Sequence, residues 1–425
     1  MPDQMTAATI RARGLSATDT AETIITAIAA REPEVRAWAW FDAEALRAQA
    51  AALDARPERG PLHGVPVGVK DVINTRDMPT QHNSPRYAGS RPGVDAACVD
   101  TLRQAGALIV GKTVTTEFAF TQRGSVTRNP LDPARTPGGS SSGSGAAVAA
   151  GMASLALGTQ TGGSTIRPAS YNGVWGWKPT WNAISREGLK MYSATCDTLG
   201  LYSRDAGDFE ILADVFGLFG LSDLPAGLAG LRVAFMKTPT WPLCEPSVAA
   251  TMDNAIALLE AAGAQVTEVA LPAPFDGLAE AHASILDCEG RAALLNEVRT
   301  TPDIHDEFRA KVENRRGETP DSLRAAYRLA DACRGQFDDI AAEFDIVMTP
   351  SATGEAPLGL DSTGDASMNS MWTLLQVPVV SAPGLTGPAG MPIGVSFVAR
   401  RYEDRRAIAV ARLAGAAFAA ARAEG

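Results

Sequence analysis

The chain has 425 residues, 45% hydrophobic and 20% charged, the balance of an ordinary soluble globular protein. Its net charge is −10 and no Lys/Arg run interleaves with aromatics, which excludes the electrostatic footprint of a nucleic-acid-binding protein. Cys98, Cys196, Cys244, Cys288 and Cys333 form no CxxC pair, and with only four histidines the sequence supports no metal site and points to a reducing compartment.

In chain order, MPDQMTAATIRARG lacks the apolar core of a signal peptide. No stretch supplies the roughly 20 consecutive apolar residues of a membrane span. The expectation is a cytoplasmic protein with neither membrane nor nucleic acid as partner. Residues 16–31 have helical periodicity, with Ser16 as N-cap, Ala21, Ile24, Ile25 and Ile28 on one face, and Pro33 as the stop. Residues 42–55 predict a second, alanine-rich helix. Val65–Lys70 is a short apolar run that ends on a charge. Residues 95–105 predict a helix with Ala97, Leu102 and Ala105 inward, and 107–111 a buried strand. The order repeats downstream, with strands at 231–236 and 264–269 around a helix at 248–262. Strands at 344–349 and 395–398 follow, then a helix from about Asp404. This alternation predicts an α/β fold with a mixed, internally buried sheet. Residues 275–343 are helical, charged on one face and without a clear strand, and predict a lobe over the sheet within a single domain spanning 1–425. The Gly/Pro-rich stretch 351–366 predicts a loop near the site.

Two motifs mislead. Gly106–Thr113 (GALIVGKT) fits the phosphate-loop pattern GxxxxGK[ST], but its interior Ala-Leu-Ile-Val prefers a buried strand to a polar phosphate cradle. Gly139–Gly143 (GSSSG) fits the GxSxG elbow with Ser141 at its centre. That elbow follows a buried strand, and the proline-rich 130–137 cannot form one. The histidines available to a Ser–His–Asp triad, His282 and His305, lie in the charged helical segment. His63 and His82 read as turn residues.

What remains is the stretch Thr136–Ala169. Between Arg135 and Arg167 there is no charged side chain, yet ten serine and threonine hydroxyls are present. Such hydroxyls, once buried, need hydrogen-bond partners. Two glycine turns, 138–140 and 162–164, each present a serine. A serine nucleophile needs a base. Lys70 closes GVPVGVK, and a lysine buried there is pushed toward the neutral amine that can accept a proton. By itself Lys70 reads better as a strand-end lysine paired with Asp71. Beside the two serine turns, the base becomes the better reading. Consecutive glycines can turn the amides of Thr161, Gly162, Gly163 and Ser164 inward as an oxyanion hole. Ser140 can stand between lysine and nucleophile.

The segments GVPVGVKD (64–71), GALIVGKTVTTEFA (106–119), RNPLDPARTPGGSSSGSGAAVAAG (128–151), GTQTGGSTIRPAS (158–170), CDTLGLYSRDAGD (196–208) and GMPIGVSFVARRYED (390–404) resemble the amidase signature family, in order and over nearly the whole chain. The resemblance implies the amidase-signature fold, a central mixed β-sheet covered by helices on both faces. It implies Lys70 as general base, Ser140 as relay following Gly139 through a cis peptide, and Ser164 as nucleophile, with no metal or cofactor. It implies acyl transfer: Ser164 attacks an amide carbonyl, the amides at 161–164 hold the oxyanion, and water cleaves the acyl-enzyme.

Within the family the motifs are most similar to bacterial malonamidases. That suggests a substrate carboxylate held by Arg167, against the alternative that Arg167 pairs with a protein acid or backbone carbonyls. Gly139 is counted among the substrate contacts. Thr159 and Gln160 are placed at the pocket or, alternatively, in satisfying the glycine loop. Met191–Tyr192 and Met368–Trp372 are candidate pocket walls, with core packing the better reading for Trp372. The expected partner is a small amide, and family habit suggests a homodimer. The competing function is a glutamine-hydrolysing subunit of a tRNA-dependent amidotransferase, which the short, acidic chain disfavours.

Overall fold

The computed structural model describes residues 5–424. Its frame is one sheet of eleven strands: β1 (Trp38–Phe41), β2 (Pro66–Lys70), β3 (Leu108–Thr113), β4 (Leu155–Gln160), β5 (Trp175–Lys178), β6 (Thr198–Ser203), β7 (Arg232–Phe235), β8 (Gln265–Glu268), β9 (Ile346–Pro350), β10 (Val379–Thr386) and β11 (Pro392–Val398). Their order is β1-β3-β2-β4-β6-β5-β10-β11-β9-β7-β8. β2 runs parallel to β3 and β4, and β7 to β8 and β9, while the other neighbours are antiparallel. Every residue of β2, β3, β4, β6 and β9 is buried, as strands covered on both faces must be. The architecture is the expected α/β fold with a large mixed sheet flanked by helices.

The periodic helices lie within about two residues of their predicted bounds: Ala43–Asp54, Ala97–Gln104, Pro246–Ala261 and Asp404–Glu424. Two details differ. In the third region Cys98 and Val99 are buried with Leu102, while Ala97 is half-buried. The first of the long helices runs Ala17–Val35, through Pro33 rather than stopping before it. Pro33 sits in the last turn, so the helix forfeits one bond, to the Ala29 carbonyl, with only two residues left to run. The Glu32 carboxylate then receives the Ala37 and Trp38 amides at 2.9 and 3.0 Å, and Arg36 closes the helix in the left-handed region at φ 54°. Ser16 caps the other end in a capping box with Asp19, as expected. The phosphate-loop lookalike is β3: Lys112 is fully buried and donates to the Ile73 carbonyl and Thr80 Oγ1.

Residues 278–341 contain the helices Leu278–Ala293, Leu295–Thr300, Asp306–Val312 and Pro320–Ala341 and no strand. Leu278, Ala281 and Ile285 pack with Ala326, Ala330 and Phe337, so the first and last of these helices pair through one apolar seam.

The uncharged stretch forms a short helix, Ser142–Ala149, and then β4. Nearly the whole helix is buried, and Gly143 is why it can lie so close to the sheet. A Cβ there would stand 2.2 Å from the Ala37 carbonyl oxygen and 2.4 Å from the Val114 nitrogen. Gly143→Ala is therefore expected to lower stability by about 1–3 kcal/mol, since the contacting atoms are backbone and cannot yield. Urea denaturation checks this, and a loss under about 0.5 kcal/mol would show that the helix rides free of the sheet.

Candidate active site

Lys70 is the last residue of β2, and its side chain is fully buried. Nζ stands 2.7 Å from Ser140 Oγ, 2.9 Å from Ser141 Oγ and 2.7 Å from Thr159 Oγ1. No carboxylate forms an ion pair with it among the described residues. Asp71, its neighbour in sequence, turns away to Lys112 at 3.4 Å. Burial pushes the Lys70 pKa well below the usual 10.5, and the charge of Asp197 offsets only part of that push.

Ser140 follows Gly139 through a cis peptide bond. The helix that begins at Ser142 fixes the adjoining hydroxyls. Ser141 Oγ donates to the Thr159 carbonyl and accepts from the Thr159 amide, both at 3.2 Å, and Ser144 Oγ donates to the Leu157 carbonyl at 2.8 Å. The buried hydroxyls are thereby satisfied, as their position demands.

The second glycine turn leaves the C-terminal end of β4 and enters the short helix Ile166–Asn172. Asp197, buried and pushed up in pKa by that burial, takes Thr161 Oγ1 at 2.6 Å and the Tyr192 and Ser193 amides at 2.6 and 3.0 Å. Tyr202 Oη donates to the Ser164 carbonyl at 3.1 Å. The amides of Thr161, Gly162, Gly163 and Ser164 have no acceptor among the described residues. Such a set of free donors can hold a negative oxygen.

Ser140, Thr161, Gly162, Gly163, Ser164 and Arg167 line one cleft of about 380 Å³. Its facing wall comes from Phe120, Gln122, His282, Leu286, Lys311 and Asp365. Lys70 and Ser140 are thus in contact, and Ser164 shares the cleft with Ser140. No hydrogen bond joins Ser164 Oγ to Ser140 among the described residues. Arg167 is 2% exposed. Its Nη2 donates to the Gly139 carbonyl at 2.6 Å and to Thr363 Oγ1 at 3.1 Å, while Nε and Nη1 have no partner.

Three placements correct the sequence reading. Gln160 does not face the cleft: its Oε1 receives the Thr165 and Ile166 amides, and its Nε2 donates to Thr373 Oγ1. It caps the helix after the turn. Thr159 is turned to Lys70 rather than to the cleft. Gly139 is met by Arg167 at its carbonyl and lies outside the lining. Met368 and Trp372 are core residues, Trp372 edge-on to Phe337. Tyr192 stacks behind Phe120 at 3.9 Å. Thr363 and Asp365 come from the Gly/Pro-rich loop expected near the site. Asp197, His282 and Thr373 went unassigned in the sequence. Asp197 alone carried a signal, as a charge inside the otherwise uncharged CDTLGLYS segment. Among the described residues no cluster of His, Cys, Asp or Glu is arranged to hold a metal, and no helix is long and apolar enough to cross a membrane.

The family model described as Amidase matches residues 19–408. A glutamyl-tRNA(Gln) amidotransferase subunit of Symbiobacterium thermophilum is 33% identical, over 93% of this chain and 92% of that protein. An amidase crystal structure superimposes with a TM-score of 0.85 at 27% identity, covering 98% of each chain. The native peptide amidase of Stenotrophomonas maltophilia does so with a TM-score of 0.81 at 27% identity, covering 97% of this chain and 96% of that one. With a family match over most of its length, a buried lysine on a serine, and a serine-bearing glycine turn in one cleft, the chain belongs to the amidase family, enzymes that act on amide C–N bonds.

Proposed function

We propose that the chain hydrolyses a small amide carrying a carboxylate, by acyl transfer to Ser164 with Ser140 as relay and Lys70 as base. The observation that carries this reading is the set of three hydroxyls around Lys70 Nζ. The Ser141 hydrogen is directed to the Thr159 carbonyl, so Ser141 meets Lys70 only as an acceptor. A neutral amine has two hydrogens and one lone pair. It donates to Ser141 and Thr159 and takes the Ser140 hydrogen on its lone pair. Ser140 is then oriented to receive a proton from the cleft.

In the first step Ser164 Oγ bonds to the amide carbon while its proton passes to Ser140 and the Ser140 proton to Lys70. The oxygen, now negative, rests on the amides of the turn. The C–N bond breaks as Lys70 returns a proton through Ser140 to the leaving nitrogen, releasing ammonia or an amine. Water repeats the sequence on the acyl-enzyme and frees the acid. The Ser140–Ser164 hydrogen bond closes in the substrate complex, as such contacts commonly do.

Arg167 supplies the substrate class. Its guanidinium is always charged and buried, two of its nitrogens lack an acceptor, and among the described residues no carboxylate is hydrogen-bonded or ion-paired to it, Asp365 acting on it only through space. A substrate carboxylate supplies both. This supports malonamate-like amides.

A second reading is favoured by the relatives named as amidotransferase subunits. The chain would then hydrolyse glutamine, which also bears a carboxylate, for a partner subunit. Ammonia release by the purified single chain from malonamate, simple aliphatic amides, aryl amides and glutamine separates the two. Turnover of malonamate-type amides without a partner supports hydrolysis of small amides, and glutamine as the single substrate supports the subunit reading.

Three outcomes are expected. Ser164→Ala loses at least about 10³-fold in kcat, whichever amide is used. Full activity in that variant overturns the nucleophile. Activity rises with pH as Lys70 sheds its proton and then levels off, because only the amine form accepts a proton. The rise lies well below the ordinary lysine value of 10.5. A profile flat from acid to alkali rules out a lysine base. Arg167→Met raises KM for carboxylate-bearing amides by about 10- to 100-fold, the weight of lost charge-assisted hydrogen bonds, and leaves neutral aliphatic amides unaffected. Equal losses on both classes would make Arg167 a structural strut.

A further inference from the structure

We infer that His282 is a positioning residue: from the helical segment, it aims the first amide of the oxyanion turn. The inference rests on the proposal that the amides at 162–164 receive the oxyanion of an amide attacked by Ser164.

A trans peptide is planar, with its C=O and the following N–H pointing in opposite directions. To hold a carbonyl on one side is to aim the next residue's amide to the other. In the turn, three successive carbonyls are held. Thr161 O is met by His282 Nε2 at 2.9 Å, Gly162 O by Thr373 Oγ1 at 2.6 Å, and Gly163 O by the Arg167 amide at 3.1 Å. The amides so aimed are those of Gly162, Gly163 and Ser164, three of the four left without an acceptor among the described residues. Two consecutive glycines place little steric limit on rotation of these peptide planes. The direction of the donors is therefore set by what grips the carbonyls.

The three grips differ in origin. The Arg167 amide belongs to the helix that follows the turn. Thr373 has one hydroxyl hydrogen, and the 2.6 Å contact to Gly162 O is shorter than its 3.1 Å approach to Asn369 O. His282 alone comes from the helix Leu278–Ala293, 121 residues from its partner. A carbonyl only accepts, so Nε2 carries the hydrogen. Burial lowers the His282 pKa and keeps the ring neutral, with one N–H directed at Thr161 O. The ring also lines the cleft. Its contact is with backbone two residues before Gly163, not with the reacting atoms, so its effect passes through the turn.

The experiment compares His282→Met, which fills the space and cannot donate, with His282→Gln, whose carboxamide N–H can. The substrate is the amide with the highest turnover in the panel above. His282→Met is expected to lose about 10- to 100-fold in kcat with KM within about threefold, since an oxyanion donor is used in the transition state and not in substrate binding. His282→Gln recovers a large part of that loss. Circular dichroism and thermal melting establish that both are folded, and His282→Leu replaces the Met variant if that fails to fold. A folded non-donor variant with wild-type kcat overturns the inference, as does a loss confined to KM or a Gln variant no better than Met. Ser164→Ala run alongside distinguishes the two levels. If it is inactive while His282→Met is fully active, the positioning role fails alone. If Ser164→Ala is active, the nucleophile reading fails first.

Discussion

The site depends on an amine held where no water and no ion-paired carboxylate reaches it. β2 carries Lys70 into a region where strands are covered on both faces, and the side chain finds only hydroxyls. Desolvating an ammonium ion costs several kcal/mol even after a protein relaxes around it. Against that stands the charge of Asp197, whose oxygens already receive Thr161 Oγ1 and two backbone amides. The carboxylate is engaged elsewhere, so desolvation outweighs its charge and the Lys70 pKa is held well below the usual value. One residue thereby serves both halves of the site: Asp197 tempers the lysine and ties down the start of the glycine turn.

The rest of the architecture keeps those two halves in register. Ser140 and Ser141 precede a helix pressed against the sheet at Gly143, and the turn at 161–164 leaves a strand hydrogen-bonded within the same sheet. Both serine turns therefore move with one rigid layer. The absence of charge between Arg135 and Arg167 follows from this. Most of the side chains in that stretch are buried, and a charge among them would need a partner. Small residues with hydroxyls can satisfy themselves on neighbouring carbonyls, as Ser141 and Ser144 do.

How much of this the sequence made legible depends on where the partner of each residue lies. The residues that the structure brings together, Lys70 on Ser140 with Ser164 in the same cleft, could be singled out because they sit in contiguous patterns: an apolar run ending on a charge, and glycines ahead of a serine. The amphipathic helices were readable from their period. The Ser142–Ala149 helix was not, because small residues buried on all sides show no 3.6-residue rhythm. β4 and β5 were hidden for a related reason: buried on both faces or built from Trp, Gly and Lys, they do not alternate. Pro33 misled because a proline so close to a helix end forfeits one intrahelical bond without preventing the two residues after it from completing the turn. Gln160 looked like a pocket amide because sequence shows its type but not that two backbone amides lie within its reach. His282 and Thr373 act on carbonyls 121 and 211 residues away, and a carbonyl is the same in every residue, so no local pattern could mark them.

The two cations nearest the reaction show how one condition, burial, yields opposite chemistry. Lys70 and Arg167 are both shut away from water, and burial lowers both pKa values. Lysine starts low enough that this push favours the neutral amine, the form that the proposed general base requires. Arginine gives no such form in a protein, because its guanidinium stays protonated across the accessible pH range. Its charge persists instead, and among the described residues its hydrogen-bond partners are one carbonyl and one hydroxyl, with Asp365 acting on it through space. Exchanging the two would defeat both proposed roles: an arginine at 70 could not take a proton from Ser140, and a lysine at 167 could not hold a carboxylate bidentately. The division of labour in the cleft thus rests on the different intrinsic acidities of two side chains placed in equally dry surroundings.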